Sequence, residues 1–273
     1  MKQIADKNIL IDFLKSAGFY TQKSLGQNFL VCQKTVQKVI EVANIQKTDL
    51  IIEIGAGVGT LTTALLESSA QKIISLEIDR KLIPLLTSVT EKNKKLVIEN
   101  IDALKFDPPV DNYLLIANIP YYLTSPIFKY YLEHSCKPKI IVFIVQKEMA
   151  EKICADGKNQ NLLSLLINIY GEPSIESLIE KDKFFPSPKV DSAILKIKVF
   201  QKSRLPLKYK KIFWTIVQQA FKNKRKKLKN TLGNFNLENK CIGDLIKKMN
   251  FSENDRPQTV GVEDWIKLAK NVL

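Results

Sequence analysis

One stretch of the chain decides its fold: Leu50-Ile51-Ile52-Glu53-Ile54-Gly55-Ala56-Gly57-Val58-Gly59-Thr60. An apolar, β-branched run leads into three alternating glycines, and residues 61–66 then space apolar side chains as a helix does, which predicts a strand, a tight turn and a helix. Glycine adopts backbone angles that other residues resist and lets a ligand lie against the main chain. We interpret the turn as a cofactor cradle, with a turn that serves packing alone as the alternative. Its G-x-G-x-G spacing differs from the G-x-G-x-x-G of dinucleotide sites.

Length and composition indicate a globular protein with an α/β core. With 273 residues and 45% hydrophobic content, the chain can bury one sizeable core and still form a small second domain. Its apolar runs are too short to cross a membrane, and its first residues lack the basic-then-apolar order of a signal peptide, so we expect a cytoplasmic protein. The cysteines are widely spaced and accompany a single histidine, so we expect reduced thiols and no metal. These residues are Cys32, Cys136, Cys154, Cys241 and His134.

Positive charge is concentrated in the last quarter of the chain. The formal net charge is +14, and residues 201–273 contribute +11 of it, from 17 Lys and Arg against 6 Asp and Glu. This asymmetry predicts a polyanionic partner such as RNA or DNA, because each neutralised phosphate releases counterions. A lysine-rich genome is the alternative explanation of the lysine count. A solvated helix face normally mixes both signs, so one basic run is predicted to contact phosphate. Its basic residues are Lys222, Lys224, Arg225, Lys226, Lys227 and Lys229.

Two acidic residues stand at the ends of predicted strands. Glu77 ends the strand that begins at Lys72 and lies 22 residues after Gly55. A carboxylate in this place can accept both ribose hydroxyls of an adenosine-containing cofactor. Asp102 follows the next strand and can accept a hydrogen bond from an adenine amine. A solvated strand-end acid and a turn aspartate are the respective alternatives.

The fourth predicted strand runs into a specific motif, Asn118-Ile119-Pro120-Tyr121. Pro120 stiffens the backbone, Asn118 offers a carboxamide oxygen, and Tyr121 offers a flat ring. All three residues follow a strand that is predicted to lie beside the cofactor strands. The motif is therefore a candidate for binding and orienting a substrate.

Two further loops carry polar or aromatic side chains. Gln27 and Asn28 precede a predicted helix, and from the residues alone helix capping is the favoured interpretation. A later loop, residues 183–190, places Phe184 and Phe185 among prolines. This loop has two alternative roles. Its aromatic rings can stack on a base, or they can cover the core.

The order of elements predicts the fold class. Alternating βα units that close with an antiparallel pair of strands predict an α/β fold with a doubly wound, mostly parallel sheet and one late antiparallel strand. Beyond residue 200 the pattern predicts only helices, one of them at residues 237–249. We therefore predict two domains. The first spans residues 1–200, with residues 1–24 as an N-terminal extension, and the second is a small, basic, all-helical domain at residues 201–273.

Five motifs occur together in an order that is typical of one family. They are Leu25-Gly26-Gln27-Asn28-Phe29-Leu30, Glu53-Ile54-Gly55-Ala56-Gly57-Val58-Gly59, Asn118-Ile119-Pro120-Tyr121, Phe184-Phe185-Pro186-Ser187-Pro188-Lys189-Val190-Asp191-Ser192 and the basic run from Phe221 to Asn230. From about Leu25 to its end, the chain resembles the small-subunit (16S) ribosomal RNA adenine dimethyltransferases. These are bacterial enzymes that dimethylate two adjacent adenosines with S-adenosylmethionine.

The resemblance implies a Rossmann-like class I methyltransferase fold and a role for each motif. It implies that S-adenosyl-L-methionine contacts Asn28, Leu30, Gly55, Glu77, Asp102 and Asn118. It implies that the catalytic motif consists of Asn118, Pro120 and Tyr121, and that Tyr121 and Phe184 stack on the substrate adenine. It also implies that the C-terminal basic run binds RNA of an immature small ribosomal subunit, and we expect a monomer. The chain departs from the family pattern at Lys224, Tyr122 and residues 159–163.

Three other functions are weighed against this one. The large-subunit rRNA adenine methyltransferases of the antibiotic-resistance type share the catalytic motifs, but residues 189–192, the basic run and residues 256–260 favour the small-subunit family. A non-catalytic RNA-binding assembly factor with the same fold is disfavoured because Gly55, Glu77, Asp102 and the motif at residues 118–121 are all intact. A nicotinamide dehydrogenase is disfavoured by the glycine spacing.

Overall fold

The computed structural model describes residues 4–22, 25–155, 160–249, 251–252 and 254–272, except for the side chain of Tyr121. The chain divides into two compact units. Unit 1 comprises Met1–Ala150 and Pro173–Val199, and unit 2 comprises Glu151–Glu172 and Phe200–Leu273. Residues 151–172 therefore group with the C-terminal region, whereas the sequence assigned them to the first domain.

Most strands of the chain up to residue 199 form from apolar, β-branched segments where the pattern predicts them. The two-residue strands that contain Phe29 and Phe184 lie where the sequence predicted loops. The strands are β1 (Phe29–Leu30), β2 (Leu50–Ile54), β3 (Lys72–Leu76), β4 (Leu96–Glu99), β5 (Tyr113–Asn118), β6 (Pro138–Gln146), β7 (Gly171–Ile179), β8 (Phe184–Phe185) and β9 (Ser192–Val199). The helices in the same part of the chain are α1 (Lys7–Ser16), α2 (Gln33–Ala43), α3 (Thr60–Glu67), α4 (Ile83–Thr90), α5 (Thr124–Glu133), α6 (Lys147–Cys154) and α7 (Leu162–Tyr170).

The main sheet has the strand order β4-β3-β2-β5-β6-β9-β7. Parallel pairing joins β2 to both β3 and β5, and it also joins β3 to β4 and β5 to β6. Strand β9 is antiparallel to β6. The predicted fold class, a mostly parallel sheet with a late antiparallel strand, is thus confirmed. The chain runs outward from β2 in one direction through β3 and in the other through β5, and open α/β sheets bind ligands at such a switch point.

The core of unit 1 forms where helices cover the sheet. Ile51, Ile73 and Leu114, from three neighbouring strands, are all fully buried and pack in one cluster with Val39 of α2 and Leu65 of α3. Strands that are covered on both faces need continuous apolar runs, which explains the unbroken apolar sequence of β2 before its glutamate. Among the described residues, no helix is both long and apolar enough to cross a membrane.

A separate two-stranded ribbon joins two distant parts of unit 1. Strand β1 pairs with β8, so that Phe29 lies opposite Phe185 and Leu30 opposite Phe184. The loop after β7 is therefore more than a hairpin connection, since it contributes a strand that anchors the N-terminal segment. This pairing brings the motif at residues 25–30 and the aromatic loop to the same edge of the unit.

Unit 2 is mainly helical, as predicted. After residue 200 its helices are α8 (Lys210–Phe221), α9 (Leu228–Leu232), α10 (Ile242–Lys248) and α11 (Val262–Val272). A short hairpin, β10 (Asn236–Leu237) with β11 (Lys240–Cys241), stands where the sequence predicted the start of a helix. Its turn residues Glu238 and Asn239 have φ angles of 49° and 60°. Two successive positive φ angles suit a two-residue hairpin turn and break a helix, so the helix begins only at Ile242.

Candidate active site

A pocket opens at the carboxyl ends of β2, β3 and β5, within unit 1. It brings together residues that the sequence separates by more than 150 positions. The predicted site residues that line it are Asn28, Leu30, Gly55, Glu77, Asp102, Asn118, Pro120 and Phe184. The side chain of Tyr121, the remaining predicted residue of this site, lies outside the described part of the chain.

The glycine turn serves both packing and ligand access. Gly55, Gly57 and Gly59 have φ angles of 71°, 59° and 91°, which disfavour any side chain. A Cβ atom at Gly57 would lie 3.1 Å from the ring of Phe29, and one at Gly59 would lie 2.7 Å from a methyl of Val89. The second and third glycines are therefore required by the packing of neighbouring elements.

Gly55 differs because the space beside it is open. A Cβ there would meet only the carbonyl oxygen of Asn118, at 3.9 Å. The N–H group of Gly55 donates to the carbonyl of Leu76 at 2.8 Å, which holds the turn against the end of β3. The open space beside Gly55 suits the cradle interpretation, which stays a prediction, and close packing accounts for the other two glycines.

Glu77 follows directly after β3 and is held by two main-chain donors. Its Oε2 atom accepts a hydrogen bond of 2.7 Å from the N–H group of Gly57, and its Oε1 atom accepts one of 2.8 Å from that of Asp79. The side chain is buried, and burial raises the pKa of the Glu77 carboxyl in spite of these bonds. Each carboxylate oxygen retains a further lone pair for a ligand hydroxyl.

The N-terminal loop is tied to this acidic strand end. Gln27 donates from Nε2 to Oδ2 of Asp79 at 2.8 Å and accepts the N–H group of Gln22 at its Oε1 atom, also at 2.8 Å. The favoured capping interpretation of Gln27 and Asn28 is wrong. The N-cap of α2 is Cys32, which makes no side-chain cap, because strand β1 intervenes between the two amides and the helix.

Asn118, at the end of β5, has a defined side-chain orientation. Its Nδ2 atom donates to the carbonyl oxygen of Asn28 at 2.9 Å. Since only the amide nitrogen can donate, this bond directs Oδ1 elsewhere as an acceptor. Of the two main-chain carbonyls that follow Asn118, that of Pro120 already accepts the N–H group of Leu123 at 2.9 Å. We therefore assign the carbonyl of Ile119 as the second candidate acceptor.

Asp102 acts as a turn aspartate and also lines the pocket. Its Oδ1 atom accepts the N–H group of Leu104 at 3.0 Å and caps a short 3-10 helix, Ala103–Lys105. The hydroxyl of Tyr131 on α5 donates to the carbonyl of Ala103 at 2.9 Å, which fixes this turn relative to α5. The turn aspartate that the sequence offered as the alternative for Asp102 is thus observed, and contact of this residue with a cofactor stays a prediction.

Phe184 is buried, whereas stacking on a base requires an accessible ring face. It lines the pocket, but its side chain is only 2% exposed and packs in the main core cluster with Leu30 and Ile116. Pairing of β8 with β1 turns the ring inward. Coverage of the core is therefore established for Phe184, while stacking on a base stays a prediction.

Two polar residues of the pocket, Glu53 and Thr60, were assigned no role from the sequence. Glu53 is fully buried at the end of β2, where its Oε2 atom accepts hydrogen bonds from Thr62 at 2.7 Å and Ser75 at 2.6 Å. Its Oε1 atom and the Oγ1 atom of Thr60 have no partner among the described residues, although both residues line the pocket. Burial raises the pKa of Glu53 to about 7. An acid inside an apolar strand, directly before the glycine turn, was the available signal.

The predicted RNA-binding residues lie in unit 2, on the connection between α8 and α9. Lys224, Arg225 and Lys226 are exposed, and their side chains make no hydrogen bond or ion pair with the residues that the structure describes. Lys222 and Lys227 are each held by a neutral amide, from Gln219 at 2.9 Å and Asn254 at 2.7 Å. Lys229 is exposed on α9. Lys224, Arg225 and Lys226 thus present three cations on one turn with no ion pair to the described residues.

Comparison with solved structures defines the class of protein. The chain is similar to the 23S rRNA methyltransferase ErmE, with a TM-score of 0.74, 24% identity and coverage of 90% of this chain and 99% of that one. It is also similar to a dimethyladenosine transferase from Plasmodium falciparum, with a TM-score of 0.74, 26% identity and coverage of 88% and 95%. The fold is that of a methyltransferase, a class that requires a methyl donor.

Comparison of sequences defines the family. A family described as "Ribosomal RNA adenine dimethylase" matches residues 18–272. "Ribosomal RNA small subunit methyltransferase A" of Clostridium botulinum is 35% identical over 258 residues, which cover 92% of this chain and 94% of that protein. The protein of the same name from Alkaliphilus oremlandii is 31% identical, with 100% and 99% coverage. The chain belongs to the ribosomal RNA adenine dimethylase family.

Proposed function

We propose that this protein transfers methyl groups from S-adenosyl-L-methionine to the N6 amines of two adjacent adenosines in small-subunit (16S) rRNA, giving N6,N6-dimethyladenosine during subunit maturation in the cytoplasm. The observation that carries the proposal is the orientation of Asn118 at the mouth of a methyltransferase pocket. Family membership restricts the reaction to ribosomal RNA adenine. The names of the most similar relatives favour the small subunit.

The pocket suits the proposed cofactor, which supplies an electrophilic methyl group on a sulfonium. Gly55 leaves the main chain open to close approach. Glu77 has lone pairs for the ribose hydroxyls, and the Oδ2 atom of Asp102, whose Oδ1 atom caps the turn, could accept the adenine amine. The buried polar atoms of Glu53 and Thr60 that lack partners fit a ligand with polar groups of its own.

The same geometry explains how the target amine can react. An exocyclic adenine amine is a poor nucleophile because its lone pair is delocalised into the ring. The Oδ1 atom of Asn118 and the carbonyl of Ile119 can each accept one amine hydrogen, which favours a pyramidal nitrogen whose lone pair points towards the methyl group. Tyr121 would stack on the adenine, worth about 1 to 3 kcal/mol. Catalysis would then come mainly from positioning. As the amine nitrogen bonds to the methyl carbon, the carbon–sulfur bond would break, the sulfur would leave as an uncharged thioether and the amine proton would pass to solvent.

Transfer to ribosomal particles tests the proposed function. We expect the purified protein to methylate immature small subunits from a strain that lacks the modification, with dimethyladenosine as the product detected after nuclease digestion. The structurally similar ErmE is a 23S rRNA methyltransferase, so protein-free large-subunit RNA is the matched substrate for the large-subunit alternative. Incorporation into that RNA alone would establish the alternative, and incorporation into neither would favour a non-catalytic assembly factor.

Neutralising Lys224, Arg225 and Lys226 should weaken RNA binding and reduce the dependence of that binding on salt. We expect the triple variant Lys224→Gln, Arg225→Gln, Lys226→Gln to lower the slope of log K against log salt by about 2 to 3, since each phosphate contact contributes about 0.7 to 0.9. Binding of small-subunit RNA over a salt series measures this slope.

A control variant removes the same charge elsewhere on unit 2. Lys247, Lys248 and Lys270 are also exposed, and their joint replacement by glutamine should change the slope by less than half as much. Equal slopes for the two triple variants would mean that the net charge of the protein attracts the RNA, without a specific role for residues 224–226.

A further inference from the structure

Tyr122 is a large aromatic residue left in solvent at the pocket. Its side chain lines the pocket and is 59% exposed. Isolated exposed apolar residues are ordinary on protein surfaces. Tyr122 differs from such residues because it lies beside the motif that is proposed to hold the substrate amine. A nucleic acid that enters the pocket passes close to it.

One edge of the Tyr122 ring lies close to Gly26. Gly26 has a φ angle of 63°, and a Cβ atom there would lie 3.4 Å from Cε1 of Tyr122 and 3.0 Å from Cβ of Pro120. The backbone around Tyr122 is a 3-10 turn, residues 121–123, closed by the bond from the N–H group of Leu123 to the carbonyl of Pro120. One edge of the ring thus packs over a glycine while most of its surface stays open.

We propose that Tyr122 stacks on a nucleobase that flanks the target adenosine in the RNA. This inference rests on the proposed function for the identity of the substrate and adds a substrate-binding residue to it. An adenine that enters the pocket leaves its own stack, so the base next to it loses a stacking partner. An open aromatic ring at the pocket mouth replaces that partner, and stacking of this kind tolerates any base.

Steady-state kinetics of Tyr122→Ala and Tyr122→Phe test the assignment with unmethylated small subunits as substrate. We expect Tyr122→Ala to raise the KM for subunits about 5- to 100-fold, since stacking on one base is worth about 1 to 3 kcal/mol. The KM for S-adenosylmethionine should change less than twofold, and Tyr122→Phe should behave like the wild type because the ring is kept. Leu178→Ala, at an equally exposed apolar residue of β7 (56%) outside the pocket lining, should change neither constant.

A fluorescent probe tests stacking without any reaction. A short oligoriboadenylate that carries one 2-aminopurine should be quenched on binding to the wild type and to Tyr122→Phe, and markedly less on binding to Tyr122→Ala at saturation. Equal quenching by all three proteins would overturn the proposal. So would a Tyr122→Phe variant that fails to quench the probe and has a raised KM for subunits. If the wild type binds and quenches the probe but transfers no methyl group to subunits, the proposed function fails while the stacking role stands.

Discussion

Asn118→Ala should lower turnover by about 10²- to 10³-fold, a loss of the size seen when one preorganised hydrogen-bonding group is removed from an active site. The substitution removes the Oδ1 acceptor that we assign to the target amine, so the amine lone pair stays delocalised in the adenine ring. Binding of S-adenosylmethionine should weaken by less than tenfold. Single-turnover transfer and calorimetric titration of the methyl donor separate the two quantities.

The matched control is Asn100→Ala. Asn100 carries the same amide and also donates to backbone, to the carbonyl of Glu77 at 2.8 Å, but it is absent from the pocket lining. We expect its loss to slow transfer less than tenfold. A similar decrease for both variants would indicate that Asn118 acts by holding the backbone of Asn28, and our placement of the amine would then be wrong.

Glu53→Gln should make the protein more stable relative to the wild type as the pH rises. The pKa of Glu53 is raised by burial from its ordinary value of 4.5 to about 7. An acid whose pKa is raised in the folded state contributes stability that is present below the unfolded pKa and lost as the pH rises through the folded pKa. Between pH 5 and pH 8 the wild type should therefore lose about 2 to 3 kcal/mol relative to the variant.

Urea unfolding of both proteins at each pH measures this difference. Comparison with the variant cancels the titration of all other groups that the two proteins share. Thr62→Val serves as a control, because it removes one of the two hydroxyl donors to Oε2 and should raise the folded pKa of Glu53 further. A free-energy difference between wild type and Glu53→Gln that does not vary with pH would show that Glu53 is ionised throughout this range.

Local sequence patterns were sufficient for much of the fold. The apolar run before Gly55 and the helical spacing after Gly59 predicted β2 and α3, because period and turn chemistry act over a few residues. The hairpin at residues 236–241 escaped prediction for a related reason. Its turn residues Glu238 and Asn239 lack the glycine that usually marks a two-residue turn, so the local pattern indicated a helix instead.

The candidate site was predicted less completely than the fold. Gly55, Glu77 and Asn118 were found because each stands at the end of a predicted strand. Glu53 was missed because its partners, Thr62 and Ser75, lie 9 and 22 residues away, and nothing local shows that one of its oxygens is left without a partner. The role of Gln27 was mistaken because its acceptor Asp79 is 52 residues distant.

By itself, the sequence determined the order of strands and helices, the glycine turn and the residue types at the pocket, and its motifs identified the family. Only the tertiary structure decided which glycines serve packing and which way the amide of Asn118 faces. The carbonyl that orients that amide belongs to Asn28, 90 residues earlier. Phe184 pairs with Leu30 of β1, and its ring lies in the core. Contacts between residues so far apart depend on how the whole sheet assembles, which no local pattern of the chain encodes.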